Sequence, residues 1–190
     1  MSRAYRITVK ESETRELRGS DEICTKLELL DILPPEDTAG LLKGALAERG
    51  FQEQADGTLT RQDGGLTVTV DPCDGTVSVK SEVAETVGLE ARRHTSGFDD
   101  IGPSEKAIRE RMKGDLKADL DKKAEQESTR LQAEATAKLE KHLDELQPEL
   151  GRVVNKVTRE ALKQKARSLG TVQEIHEDAE AGSLTITVEV

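Results

Sequence analysis

At 190 residues the chain holds one ordinary domain, or a small domain with an extended appendage, and not two large cores. Hydrophobic residues make up 34% and charged residues 35%, and Tyr5, Phe51 and Phe98 are the whole aromatic complement, so any core must be built from Leu, Val, Ile and Ala. The net charge of -10 and the absence of Trp argue against a broad phosphate-neutralising or base-stacking surface, and so against nucleic acid as a partner.

The chain opens in alternation, with Tyr5, Ile7 and Val9 on one face of a strand and Arg6, Thr8 and Lys10 on the other. A polar stretch follows. Ile23, Leu27 and Leu29 then alternate with Cys24, Lys26 and Glu28 in a second strand that Pro34 and Pro35 close. Pro35 suits the first turn of a short helix, with Glu36 and Asp37 at its positive end, Leu41, Leu42, Ala45 and Leu46 on one side and Gly50 as the stop. The alternating runs 58–62, 65–70 and 76–83 are separated by Asp-Gly-Gly and Asp-Pro-Cys-Asp-Gly punctuation and read as a meander. A fifth strand candidate, Thr86 to His94, is interrupted by Gly88 and the Arg92-Arg93 pair. Residues 96–103, rich in Gly, Asp and Pro, read as a linker.

From Ser104, a candidate N-cap, to about Leu169 the composition turns to Glu, Lys, Ala, Gln and Leu, the better helix formers. Apolar residues recur at Ile108, Met112, Leu116, Leu120 and Ala124, and again at Leu131 and Ala135. From Leu139 through Leu143, Leu146, Leu150, Val153 and Val157 the spacing alternates four and three, the rhythm of a coiled coil. These six residues are the candidate partner-binding seam. Pro148 and Gly151 allow a kink or a hairpin turn, and the unbroken heptad phase favours the kink. After Gly170 a ragged strand around Val172 to His176, a turn at Asp178 to Gly182, and a clean strand with Leu184, Ile186, Val188 and Val190 on one face form a C-terminal hairpin.

The expected fold class is therefore α+β: a small antiparallel strand-rich body with one short helix (1–95), a linker (96–103), a long charged coiled-coil-like helical segment (104–170) and a C-terminal β-hairpin (171–190). One kinked helix over 105–169 would reach about 100 Å, carrying the tail far from the body. A lone hairpin is marginal in water, so the tail needs its own sheet or a neighbouring chain, and the lengths lean toward the neighbour.

Chemistry is harder to find. Asp71, Cys73 and Asp74 sit together, but these are hairpin-closing residues, and adjacent carboxylates would raise a thiol pKa. His94 near Asp99 and Asp100, and His176 between Glu174 and Asp178, have no metal-ligand or nucleophile spacing. No P-loop, Rossmann fingerprint, nucleophile elbow or paired-cysteine motif is present, so no catalytic residue, cofactor or metal is expected. Two cysteines, with no signal peptide and no apolar run of membrane-spanning length, point to a cytoplasmic chain with reduced thiols.

Charge is distributed unevenly. Residues 104–170 carry a net of +3 and the remainder -13, and after residue 150 Arg152, Lys156, Arg159, Lys163, Lys165 and Arg167 meet only Glu160 within the helix. That stretch is either a solvated face complementing the helix dipole or a surface that docks on acidic groups, its own or a partner's.

The opening MSRAYRITVKES, the run LELLDILP leading into LLKGALAERGF, and the late GSLTITVEV together resemble small accessory proteins encoded beside MoxR- or FtsH-type AAA+ ATPases in bacterial multi-gene conflict systems. The resemblance covers the first 80 or so residues and the tail, and it implies a non-enzymatic accessory role beside an ATPase. The reading that follows is an interaction, scaffold or adaptor protein, self-associating or engaging a protein partner such as an AAA+ ATPase. The alternatives are an enzyme with an unrecognised site, or a nucleic-acid or membrane-surface binder using the basic late helix.

Overall fold

The alternation at Tyr5, Ile7 and Val9 does not stop at Lys10. In a computed structural model of the chain, describing residues 4–98, 103–178 and 183–189, strand β1 runs unbroken over Ala4–Lys26. The polar stretch that the sequence suggests after Lys10 is thus strand as well. Its inward positions carry Glu13, Arg15, Leu17 and Gly19 in place of aliphatics, and they are satisfied by ion pairs and close packing instead of a deep core. Helix α1 (Pro35–Ala47) has Pro at its first turn, as expected. The short β2 (Gln52–Glu53), which no sequence pattern announces, then leads to β3 (Leu59–Asp63), β4 (Leu66–Val70) and β5 (Thr76–Phe98). β5 absorbs both 76–83 and the interrupted candidate at 86–94: Gly88 and Arg92 fall on exposed outward positions, where neither disturbs the pairing.

The strands form one five-stranded sheet in the order β1-β5-β4-β3-β2. β3 and β4 pair antiparallel from Leu59↔Val70 to Asp63↔Leu66. Only Gly64 and Gly65 are left in that turn, with φ of +57° and +87°, a mirror-image turn that a side chain would strain. β1 and β5 also run in opposite senses, since Lys10 meets Glu90 (3.0 Å) and Arg18 meets Glu82 (3.6 Å).

Helix α2 spans Glu105–Leu169, 65 residues, capped by Ser104 Oγ, which accepts from the Ala107 N–H at 3.3 Å. It passes through Pro148 without a turn, so of the two options at Pro148 the hairpin is excluded. Proline removes one backbone hydrogen bond there. Leu146 and Leu150, on either side of it, are both buried in one core and hold the two turns to the same surface. The tail forms β6 (Thr171–Asp178) and β7 (Ser183–Glu189), paired antiparallel as a separate two-stranded sheet that does not join the five-stranded one. β6 is indeed ragged, with a register shift between Val172 and Glu174. Val190 and most of the turn expected at 178–182 lie outside the described residues.

The chain divides into two compact units, Met1–Asp21 with Glu82–Ala137, and Glu22–Ser81 with Lys138–Val190. β1, β5 and α2 each contribute to both. In the first unit Ile7, Val9, Leu89 and Ala91 pack against Met112, Leu116, Leu120 and Ala124. Here α2 approaches β1 so closely that a Cβ on Gly19 would lie 2.3 Å from the Leu131 carbonyl carbon, a contact only glycine permits. The Gln132 amide uses that proximity, accepting from the Ser20 N–H (3.1 Å) and donating to the Ser20 carbonyl (2.7 Å), as a neighbouring strand would. In the second unit the sheet face of Leu59, Leu66, Val68, Val70, Val77 and Val79 is covered by α1 and by the later part of α2.

Candidate protein-docking groove

The heptad seam lies in the second unit. Leu139, Leu146, Leu150, Val153 and Val157 are buried against the chain's own sheet, while Leu143 is only partly buried at the border of that core. The stripe is therefore a seam, and the surface it meets within this chain is a β-sheet, which offers the same continuous apolar face as a second helix would.

Beside the seam runs a groove of about 450 Å³. Its floor is apolar, made by Val77 and Val79 of β5 with Leu146 and Leu150 of α2. One wall is the end of β1, through Ile23, Thr25 and Leu27, and the other is the α2 stripe of Leu143, Gln147, Gly151 and Asn155, four residues apart, with Val154 beside it. Ile23 is 41% exposed, one of the few large aliphatic side chains left open. Gly151 widens the groove, since a Cβ there would meet nothing within 4 Å.

The β1 wall brings more than side chains. β1 is the outermost strand of its sheet. The Leu27 N–H turns inward to the Gly75 carbonyl (2.8 Å), so strand alternation turns the N–H and C=O groups of Cys24 and Lys26 to the outer edge. Across from them the side-chain amides of Gln147 and Asn155 are exposed. Backbone groups on one side, amides on the other and an aliphatic floor between them are the elements that hold an extended peptide, through main-chain hydrogen bonds and alternate side-chain pockets. Sequence reading picked out the leucines of this groove and missed Ile23, Gln147 and Asn155 as a set. The four-residue spacing of 143, 147, 151 and 155 was the signal for the helical wall, but nothing in the sequence shows that β1 runs beside it.

The late basic stretch docks in part on the chain's own acidic groups. Lys156 pairs with Glu48, Arg159 with Glu177 of β6, and Lys163 with Glu160 (3.0 Å) and Glu177 (3.8 Å). Arg61 of β3 grips Glu149 of α2 with two hydrogen bonds of 2.7 and 2.9 Å, and this holds the Glu149 carboxyl below the usual carboxylate range.

The remaining candidates are dispersed. Asp71 and Asp74 cap a turn, accepting from the Cys73 and Thr76 N–H groups at 2.8 Å each, and the Thr76 bonds lower the Asp74 pKa. Cys24 and Cys73 are free and exposed. His94 borders a cleft with Arg93 and Arg111, while the carboxylates of Asp99 and Asp100 lie outside the described residues. His176 faces Thr185 across the hairpin. Among the described residues no three His, Cys, Asp or Glu side chains gather as a metal site, and no helix is long and apolar enough to cross a membrane.

A family model described as FtsH ternary system domain X5 matches residues 1–190. No curated protein and no solved structure matches the chain. The match takes in the middle third, which the resemblance of the N-terminal segment and tail to ATPase-linked accessory proteins left aside. From the first strand through the long helix to the terminal hairpin, the chain belongs to the FtsH ternary system domain X5 family and is consistent with an accessory protein of an FtsH-associated multi-gene system.

Proposed function

We propose that this chain is a non-enzymatic adaptor that holds an extended segment of a protein partner in the groove between the β1 edge and α2, the partner being the FtsH-type AAA+ component of its system. The carrying observation is the groove itself, with a strand edge that no other described strand covers facing exposed amides across an aliphatic floor. A strand edge beside a helix holds an extended segment with little sequence demand beyond alternate aliphatic residues, which suits an adaptor.

Gly151→Arg tests the reading. The position is helical and open, so the substitution removes a helix-interior glycine, worth up to about 1 kcal/mol of helix stability, while filling the groove. Titration of the purified FtsH-type AAA+ protein encoded in the same system is the assay. The expected result is binding by the parent chain and at least about tenfold weaker binding by the variant, about 1.4 kcal/mol, with an unchanged or raised melting temperature. Equal binding by the two proteins, or none by the parent, refutes the proposal.

A further inference from the structure

The two edges of the C-terminal hairpin are built differently. β6 is defended as natural edge strands are: it carries Glu174, Glu177 and Asp178 and a register shift at Val172/Glu174. β7 has no such defence. From Leu184 to Val188 it is uncharged and rich in β-branched residues, without proline, glycine or bulge, and among the described residues no strand pairs with its outer edge. Leu184, Ile186 and Val188 are half-buried on one face, with Thr185 and Thr187 exposed on the other. A two-stranded hairpin with a half-covered apolar face is marginal alone, and a third and fourth strand would complete it.

We infer that β7 pairs antiparallel with β7 of a second copy of this chain, about a two-fold axis at Ile186, to give a continuous four-stranded sheet. A second copy fits this edge because the strand complements itself, and the charges fix the register. In this register Leu184 faces Val188, Thr185 faces Thr187, and the sole charge of the strand, Glu189, faces Ser183 of the second copy. A parallel in-register pairing would instead set Glu189 against Glu189, and like charges directly opposite one another destabilise a sheet. The two-fold arrangement is also the one that closes, leaving β6, with its charges and bulge, as the outer strand on both sides.

The register makes the test specific. Thr185→Lys/Thr187→Lys sets two like-charge pairs across the two-fold axis. Within the hairpin Thr187 faces the opposite charge of Glu174, and both threonines are exposed, so the same substitutions should leave it folded. Thr185→Glu/Thr187→Lys sets two opposite-charge pairs across the same axis. Analytical ultracentrifugation of the full chain should show a dimer for the parent protein. The dissociation constant should rise about tenfold in the double-lysine variant and recover in the Glu/Lys variant, with unchanged circular dichroism in both. A monomeric parent, a double-lysine variant that dimerises as the parent does, or a Glu/Lys variant that fails to recover would each overturn the inference.

Discussion

Replacing Arg61 with Met removes a bidentate polar link between β3 and α2 while keeping most of the stem that packs on Phe51. The guanidinium donates to both Glu149 oxygens at 2.7 and 2.9 Å and to the Arg49 carbonyl at 3.1 Å, and it lies 4.7 Å from the Phe51 ring centre. The two side chains are only 16% and 23% exposed, so solvent screens the pair weakly. Without Arg61, Glu149 still has Arg49, 3.6 Å away. Removing one member of a fully buried pair costs 3–5 kcal/mol, and this partly buried bidentate pair should cost about 2–3 kcal/mol. The loss should depend on pH. Glu149 has its folded pKa depressed, chiefly by the Arg61 hydrogen bonds. A depressed carboxylate contributes stability that is present above its unfolded pKa of about 4.3 and is lost as pH falls through the lower folded value. Urea unfolding followed by circular dichroism at pH 7 and in the acid range measures this, with Glu149→Gln and the double variant closing the cycle. The Arg61→Met penalty should shrink in acid, and the coupling at pH 7 should exceed about 1 kcal/mol. A penalty that stays constant with pH, or a coupling near zero, refutes the electrostatic account.

Gly19→Ala should cost at least about 1–3 kcal/mol, because the new methyl meets helix backbone, which cannot rotate away. Loss of amide protection at Ser20, whose N–H bonds Gln132, would report it in hydrogen exchange. Along the seam, Leu150→Ala should cost about 2–5 kcal/mol and Leu143→Ala distinctly less, since Leu150 is 7% exposed within the core while Leu143 only borders it. Equal losses in thermal unfolding would show that the two leucines share one environment.

Local pattern carried much of this protein. Alternation at Tyr5–Val9 and Leu184–Val188, proline at the first turn of α1, Ser104 as a cap and the apolar rhythm of 139–157 each specify an element from its own residues, because they act through backbone preference or one-sided burial. Where the burial partner lies far away in the sequence, local pattern says less. Glu13, Arg15 and Gly19 read only as part of a polar stretch, yet they are strand, because the inward face of β1 there meets the helix: Arg15 pairs with Asp121 at 2.7 Å and Gly19 admits the backbone at Leu131. The heptad seam read as a coiled-coil-like, partner-binding stripe, since an apolar stripe specifies what it must avoid, water, and not what covers it. That Pro148 leaves α2 unbroken, that the seam meets its own sheet, and that a groove opens between Ile23 and Gly151 were decided by tertiary packing. The seam and groove depend on contacts between residues about 60 to 130 positions apart, and no periodicity within one segment encodes its neighbour in space.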